Sequence, residues 1–274
     1  MLFFPMPELP EVETVVRSLQ PTITGEMIAR IDTPWQKVIA TPDTIMTALG
    51  HRIESVARRG KFIVLNLTSG ALLVHLRMTG RLYTYLPDVT QEPYVTAIIH
   101  FESGKRLTFQ DTRKFGRIFY ADDLATFFEH LGPEPLGATF TTKWLTDGFS
   151  RRCRLIKPLL LDQSFIAGLG NIYVDEGLFL AGIHPLSLSH KIPSANSKKL
   201  HDAIRGLLEN AIAAQGTTII NFQHGDNRSG SFQHQLQVYG RTGEPCRKCK
   251  TFITKLFVAQ RGTHVCLKCQ MLFV

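Results

Sequence analysis

The stretch Lys157–Pro185, KPLLLDQSFIAGLGNIYVDEGLFLAGIHP, sets the fold of the second half of the chain. It has the pattern of two helices joined by a turn at Gly168 to Asn171. The run Gly168-x-Gly170 does not predict a dinucleotide-binding loop, because no strand precedes it and the third glycine of that motif is absent. Taken by itself, Asn171 is suited to the N-cap of the second helix.

A clearer helix pattern follows at 196–216, NSKKLHDAIRGLLENAIAAQG. Its apolar residues recur at helical spacing, and Gly216 is suited to the C-cap. The face is formed by Leu200, Ile204, Leu207, Leu208, Ala211 and Ile212. The polar stretch FQHGDNRSGSFQ after it reads as a loop.

The first half of the chain has a different pattern. In PEVETVVRSL, residues 10–19, apolar residues at helical spacing and a proline suited to a first turn predict one helix. Strand-like runs follow, among them KFIVLNL, ALLVHLRM, YVTAIIHF and RLTFQD, separated by glycine and serine. Many short strands with few helices predict a β-sandwich.

The sequence therefore predicts an α+β fold of two domains. We expect an N-terminal β-sandwich with flanking helices, and a C-terminal helical domain that ends in a zinc-ribbon β-hairpin. The stretch HLGPEPLGATFTT, rich in glycine and proline, is typical of a linker. The expected ranges are 7–131 for the sandwich, 132–142 for the linker, 143–236 for the helical domain and 237–274 for the zinc finger.

Four of the five cysteines are clustered near the end of the sequence. Cys246-x2-Cys249, sixteen residues and Cys266-x2-Cys269 form the spacing of a four-thiolate zinc site. A complete coordination sphere leaves no position for water, so one structural Zn²⁺ is expected, with the intervening residues as a hairpin. Two disulfides are the alternative, and zinc is favoured because a reducing compartment is expected. Cys153 stands apart and reads as a structural residue.

The charge of the chain favours an anionic partner. There are 31 Lys and Arg against 23 Asp and Glu, which gives a formal charge of +8 and a pI near 9.4. Nucleic acid is the simplest polyanion that such an excess would bind. No apolar run approaches the roughly 20 residues that span a bilayer, and MLFFPM lacks the features of a secretory signal. We therefore expect a cytoplasmic protein without a membrane partner.

Several separated stretches, in order along the chain, make it resemble the formamidopyrimidine-DNA glycosylase family. They are PELPEVET at 7–14, RRGKF at 58–62, HLRMTG at 75–80, DTRKFGR at 111–117, the stretch quoted first, and VYGRTGEPCRKC at 238–249. The resemblance implies a bacterial, nucleoid-associated repair enzyme with a helix-two-turn-helix and a zinc finger. It implies removal of oxidised purines such as 8-oxoguanine from duplex DNA, followed by β,δ-elimination at the abasic site.

The resemblance implies a nucleophile at the first residue of the working protein, the secondary amine of Pro7. Met6 would then be the true initiator, removed after translation, and residues 1–6 an over-extended gene start. Glu8 is the expected general acid and base, with Glu11 supporting it. The catalytic set implied is Pro7, Glu8, Lys61 and Arg261, the last two as contacts to DNA phosphates.

The resemblance also implies how DNA is held open. Met78, Arg113 and Phe115 would fill the gap left by the extruded nucleotide, although without the resemblance Met78 and Phe115 read as core residues. Arg152, Lys157 and Asn171 would bind DNA, the last two near one phosphate. Residues 217–235 would close over the lesion.

The chain departs from the family pattern at several positions. Glu92 stands where the family has a DNA-contacting histidine, and Arg152 where it commonly has a lysine. DTRKFG replaces DPRRFG, and HGDNRSGSFQ differs from the family's loop. The lesion preference is therefore open between oxidised purines and the oxidised pyrimidines of the endonuclease VIII branch. If residues 1–6 stay attached, Pro7 is an amide, and the chain would be a non-catalytic damage binder. A monomer is expected.

Overall fold

The computed structural model describes residues 6–85, 93–217 and 230–274. The chain divides into two compact units: Met1–His130 with Gln215–Ser231, and Leu131–Ala214 with Phe232–Val274. This division differs from the expected ranges at 215–231, which the sequence pattern put in the helical domain. It also groups the zinc-finger residues with the helices.

The first unit contains two antiparallel sheets and the helices α1, which spans Leu9–Ile23, and α2, which spans Leu124–Phe128. The strands are β1 Ile28–Asp32, β2 Ile53–Arg59, β3 Phe62–Leu67, β4 Ala71–His75, β5 Gly80–Tyr85, β6 Val95–Phe101, β7 Arg106–Asp111 and β8 Arg117–Ala121. One sheet has the order β1-β6-β7-β5 and the other β2-β3-β4-β8. Apolar residues of both sheets and of α1 form one core cluster, so the predicted sandwich is confirmed.

Helix α1 forms where the sequence predicted it. Its apolar positions Val12, Val15, Val16 and Leu19 are buried in the core. Glu8 is the N-cap, and its side chain and that of Glu11 satisfy each other's backbone N–H groups in a capping box. The helix therefore starts directly after the residues that the resemblance makes catalytic.

The second unit is mostly helical. Its elements are α3 Thr142–Ser150, α4 Ile156–Leu161, α5 Asn171–Ala181, α6 Ser194–Ala213, β9 Thr254–Val258 and β10 Arg261–Val265. The apolar face predicted on α6 is buried throughout. The C-cap of α6 is Ala214, and Gly216 follows with a φ of +78°. Short 3-10 turns lie at Gln36–Val38 and Ile45–Ala48 in the first unit, and at Ser189–Lys191 and Phe232–Gln235 in the second.

The connection between α4 and α5 is longer than the predicted turn. Helix α4 ends at Leu161, and residues 162–170 form an ordered loop. The Gln163 side chain holds this loop: its Oε1 accepts the Gly168 N–H at 2.9 Å, and its Nε2 donates to the Leu169 carbonyl at 2.9 Å. The N-cap of α5 is Gly170 and not Asn171, so the N-cap prediction for Asn171 is wrong. Side-chain bonding within the loop, which hydrophobic spacing does not reveal, ends α4 early.

The zinc-finger hairpin has a tight turn. Strands β9 and β10 pair antiparallel, with Arg261 opposite Val258. The two residues between them, Ala259 and Gln260, have φ angles of +47° and +62°. This two-residue turn matches the right-handed twist of the strands. Arg261 is therefore the first residue after the tip of the hairpin.

The expected linker is packed rather than loose at its start. The Gly132 N–H donates to the Gln163 carbonyl at 2.9 Å, and the Pro133 carbonyl accepts the Ala167 N–H at 3.1 Å. A Cβ added at Gly132 would lie 2.4 Å from the Phe165 carbonyl oxygen. The backbone of this segment thus lies directly against the α4–α5 loop.

Substitution of two glycines tests this packing. Gly132→Ala should destabilise the protein by roughly 1–3 kcal/mol, because the added methyl meets backbone atoms that cannot rotate away. Gly206→Ala is the control, because nothing lies within 4 Å of a Cβ there. It should stabilise α6 by about 0.5–1 kcal/mol. Urea unfolding measures both changes, and equal stability of G132A and G206A would contradict the packing.

Candidate functional site

The N-terminal end of α1 carries two buried carboxylates. The Glu8 side chain is 2% exposed and the Glu11 side chain 3%. Glu11 Oε2 accepts the Glu8 N–H at 3.1 Å, while its Oε1 accepts the N–H and the hydroxyl of Thr217 at 2.8 and 3.0 Å. Pro7 precedes this pair and is buried. Glu11 therefore ties the start of α1 to residues 215–217, which explains why that segment belongs to the first unit.

Lys61 lies in the tight turn between β2 and β3, directly after Gly60 with a φ of +56°. Its side chain is only 6% exposed. His75 on β4 pairs with the neighbouring Phe62. Burial, followed by the positive charges of Arg77 and Lys61, lowers the pKa of His75 to about 3. Lys61 therefore lies near a histidine that is neutral in the folded protein.

The tautomer of His75 follows from its hydrogen bond. Its Nδ1 lies 3.0 Å from the backbone N of Arg77, which donates to it. In a neutral ring the proton must then be on Nε2, which is a donor. The same bond supports Arg77, whose φ is +55°, in the turn that precedes Met78.

Met78, Arg113 and Phe115 come together, as the gap-filling prediction requires. The Arg113 Cζ lies 4.7 Å from the centre of the Phe115 ring, and its Nη1 lies 3.2 Å from the Met78 sulfur. Phe115 is 46% exposed, and Met78 is only partly buried. The interpretation of Phe115 and Met78 as core residues is therefore wrong. Two separate turns present one mixed apolar and cationic cluster at the surface.

Asp111 holds these two turns together. Its carboxylate, 1% exposed, accepts the Arg113 N–H at 3.1 Å and the Gly116 N–H at 2.7 Å. It also accepts the hydroxyl of Thr79, beside Met78. The sequence-based set missed Asp111, although an aspartate at the start of a turn is the available signal. This one carboxylate fixes the backbone on both sides of the exposed cluster.

In the second unit, Lys157 is fully buried rather than exposed. Its Nζ lies 2.6 Å from Asp175 Oδ1, 2.8 Å from the Thr263 hydroxyl and 3.2 Å from the Gly262 carbonyl. Its side chain has 0% exposure. A direct contact between Lys157 and a DNA phosphate does not fit this arrangement, because its charge is directed into the protein.

Asn171, Arg152 and Arg261 are accessible to different degrees. Asn171 is partly buried at the start of α5, and its Nδ2 donates to the Gly262 carbonyl at 2.9 Å. The Arg152 guanidinium is exposed, lies 5.0 Å from the centre of the Phe165 ring and donates to the Gly148 carbonyl at 3.0 Å. Arg261 is exposed beside the hairpin turn. The positive charges available to an anion in this unit therefore include Arg152 and Arg261.

The four clustered cysteines have the geometry of a metal site. Their sulfur atoms all lie within 4.8 Å of one another. The Cys249–Cys266 and Cys246–Cys269 sulfur pairs are 3.4 and 3.9 Å apart. A disulfide would need about 2.05 Å, whereas a tetrahedron of thiolates at about 2.3 Å from Zn²⁺ has sulfurs about 3.8 Å apart. The thiols fit zinc, and the disulfide alternative is wrong.

Three further expectations concern the loop residues, Cys153 and the absence of a membrane span. Glu92 and residues 218–229 lie outside the described residues. Cys153 is exposed and carries no disulfide. Within the described residues, no helix has the length and apolar character needed to cross a membrane.

The buried neutral His75 makes stability depend on pH. Its folded pKa of about 3 lies below the unfolded value of 6.5, so below pH 6.5 the unfolded chain binds a proton that the folded protein does not. Between these two pKa values, each pH unit of acidification therefore lowers the free energy of unfolding by about 1.4 kcal/mol. His75→Asn keeps an acceptor for the Arg77 N–H but does not titrate. Between pH 7 and pH 5 the wild type should lose about 2 kcal/mol more than H75N in urea unfolding. Equal losses would contradict a neutral buried His75.

Replacement of Asp111 tests whether it orders the exposed cluster. Asp111→Asn replaces one of the two carboxylate oxygens with an amide nitrogen, which donates and does not accept. One of the two backbone N–H groups therefore loses its acceptor, which should cost about 1–3 kcal/mol of stability. Affinity for duplex DNA with an abasic site should fall, because Met78 and Arg113 lose their fixed turns. Asp123→Asn is the control: Asp123 caps α2 by accepting the Ala125 and Thr126 N–H groups, and asparagine caps equally well. Fluorescence anisotropy with a labelled duplex measures the affinities, and equal affinity for D111N and D123N would refute the role.

Comparison with known proteins agrees with the geometry along nearly the whole chain. Residues 6–118 match the formamidopyrimidine-DNA glycosylase N-terminal domain, residues 131–223 its H2TH domain, and residues 243–270 the zinc finger found in FPG and IleRS. The formamidopyrimidine-DNA glycosylase of Herpetosiphon aurantiacus is 43% identical over 272 residues, covering 97% of this chain and 100% of that protein.

Two solved structures are similar in fold. MutM in complex with DNA containing carbocyclic 8-oxo-G has a TM-score of 0.89 and 36% identity, covering 96% of this chain and 99% of the other. The Lactococcus lactis Fpg in complex with DNA containing an abasic site has the same TM-score, identity and coverage. The four cysteines accordingly form one structural zinc site. With sandwich, helical unit and zinc finger all matched, the chain belongs to the formamidopyrimidine-DNA glycosylase family and is a DNA glycosylase of oxidised-base repair that binds damaged DNA.

Proposed function

We propose that this enzyme removes oxidised purines, 8-oxoguanine and formamidopyrimidines, from duplex DNA and then cleaves the abasic site. The cluster of Met78, Arg113 and Phe115 carries the proposal. Extrusion of a damaged nucleotide leaves a gap, and a partly exposed methionine, an arginine and an aromatic ring are groups that fill such a gap and bond the orphaned base. The MutM complex with an 8-oxo-G analogue supports the purine preference.

The proposed nucleophile is the amine of Pro7 after removal of Met6. An α-amino group titrates near about 8, below lysine at about 10.4, so more of it is unprotonated at neutral pH. Helix α1 begins at Leu9, and the positive end of its dipole disfavours the protonated form of the amine further. The match to the family begins at residue 6, which supports Met6 as the initiator. Residues 1–6 would then be absent from the active enzyme.

The chemistry proceeds by attack of the proline nitrogen on C1′ of the damaged nucleotide. The bond from C1′ to the base breaks, and the base leaves with a proton. The C1′–O4′ bond then opens while Glu8 gives a proton to O4′, and the nitrogen lone pair forms the cationic iminium that joins the protein to the sugar. The iminium acidifies the C2′ proton, whose removal breaks the C3′–O bond in β-elimination. A second elimination breaks the C5′–O bond, and hydrolysis frees the proline. The L. lactis Fpg complex with abasic DNA supports action at such sites.

Four side chains serve these steps in the proposal. Glu8, buried beside Pro7, moves protons at the sugar ring, and Glu11 supports it. Lys61 contacts a phosphate near the lesion and assists elimination. Arg261, exposed at the hairpin turn, grips the phosphates that flank the extruded nucleotide and assists the second elimination.

The remaining DNA contacts are proposed on the second unit. Asn171 lies in the first turn of α5, where backbone N–H groups and the helix dipole favour a phosphate. Arg152 supplies an exposed charge. Lys157 is not proposed as a direct contact, because its ammonium group donates to Asp175, Thr263 and Gly262 inside the protein. We also propose a monomer acting on nucleoid DNA in a bacterial cytoplasm, and sedimentation of the purified protein with and without DNA tests the oligomeric state.

Borohydride trapping tests the nucleophile. Protein expressed from Met6, with Pro7 confirmed as the first residue, should form a covalent adduct with abasic-site DNA, because reduction fixes the iminium. Protein that retains residues 1–6 is the matched control and should form none, because an amide nitrogen has no available lone pair. Absence of an adduct with the Pro7 form would overturn the mechanism and leave a non-catalytic damage binder.

A second assay tests the substrate. Excision from duplexes with 8-oxoguanine opposite cytosine should exceed excision of thymine glycol opposite adenine. Faster release of thymine glycol would contradict the purine preference and assign the enzyme to the endonuclease VIII type.

A further inference from the structure

A buried charge cluster joins the two helices of the helix-two-turn-helix to the zinc-finger strand. Asp175 of α5 and Lys157 of α4 both have 0% side-chain exposure and form an ion pair of 2.6 Å. The second oxygen of Asp175 accepts the His264 backbone N–H at 2.8 Å. One carboxylate therefore bonds α4 and β10 at once.

Lys157 directs its other donors to the same strand. Its ammonium group has three N–H donors, and its acceptors include Asp175, the Thr263 hydroxyl and the Gly262 carbonyl. The Thr263 hydroxyl in turn donates to the Arg261 carbonyl at 2.9 Å. An unbroken chain of bonds thus runs from Asp175 through Lys157 and Thr263 to the backbone of Arg261.

The zinc site alone does not fix the position of Arg261. The nearest ligand along β10 is Cys266, five residues later, which corresponds to about 17 Å of extended strand. A two-stranded ribbon is marginally stable by itself. The hydrogen bonds to residues 262–264 hold the zinc-finger hairpin at the end where Arg261 lies. The ion pair costs desolvation of both charges, so a role in fixing the geometry of β10 accounts for it better than a gain in stability.

We propose that Asp175, acting through Lys157 and Thr263, is a positioning residue that aims Arg261 at the DNA strand for the second elimination. The proposal rests on the role proposed above for Arg261. Asp175 is fully buried and is not among the four cysteine ligands, so its proposed effect is on the position of the Arg261 guanidinium. Loss of the cluster should therefore separate two properties of the zinc finger, metal binding and assistance to the second elimination.

The test uses variants that remove the link with different severity. Thr263→Val removes the hydroxyl and keeps the volume, and both buried charges remain paired. Lys157→Met combined with Asp175→Leu removes the ion pair without leaving an uncompensated charge. Thr254→Val is the control, because it makes the same change in the same hairpin at a hydroxyl without a bond to α4 or α5 among the described residues. Arg261→Ala is the reference for loss of the guanidinium.

Each zinc-loaded protein, residues 7–274 with Pro7 as the first residue, is assayed on duplex DNA with an abasic site. The readouts are zinc per chain, the borohydride adduct, and the ratio of δ- to β-elimination products. T263V and the double variant should keep one zinc and the adduct. Their δ-to-β ratio should fall about tenfold or more toward that of R261A, since a misplacement of about 1 Å can cost a hundredfold in rate. T254V should behave as the wild type.

The outcomes separate this inference from the proposed function. A wild-type ratio in both T263V and the double variant would overturn the positioning role. Loss of zinc in parallel with the δ step would also overturn it, because the cluster would then merely hold the metal site together. If the wild type forms no adduct, or if R261A leaves the ratio unchanged, the proposed function itself fails.

Discussion

The hydrogen bond between a buried carboxylate and a backbone N–H group is the interaction on which the segments proposed to bind DNA depend. Burial of a carboxylate without partners is costly, so each one must collect donors from nearby chain. Loops offer N–H groups that no helix or sheet uses. Among the described residues, Glu11 accepts the N–H of Thr217, Asp111 accepts those of Arg113 and Gly116, and Glu176 accepts those of Gln237, Val238 and Tyr239. Asp175 accepts the N–H of His264, which lies on strand β10.

This interaction lets exposed groups keep fixed positions. Arg113 and Phe115 lie on an exposed turn, but the backbone around them is held by the buried Asp111. Arg261 is supported in the same way in the second unit. Asp175 and Lys157 form hydrogen bonds to His264 and Thr263 of the same strand. A DNA-binding surface must stay accessible and charged, so its rigidity has to come from groups on the inner side of the same segments. The zinc ligands also order the hairpin, but they lie at the end that is away from Arg261.

The sequence predicts the elements whose signals are local. Helix α1, the face of α6, the strands β3, β4, β6 and β7 and the four zinc ligands all follow from periodicity or fixed spacing. The family motifs also predict the cluster of Met78, Arg113 and Phe115. The burial of Lys157 is not predictable in this way, because its partners Asp175 and Thr263 are 18 and 106 residues away in the chain. The bond from Glu11 to Thr217 spans 206 residues and is equally invisible to local patterns.

Residue-resolved amide hydrogen exchange tests the central claim most directly. The amides of Gly116, Thr217 and Val238 lie outside helices and strands, yet each donates to a buried carboxylate. Their exchange should be slow, with protection close to that of strand amides such as Leu73. Exchange of these three amides as fast as that of an exposed loop would contradict the claim that buried carboxylates order these segments.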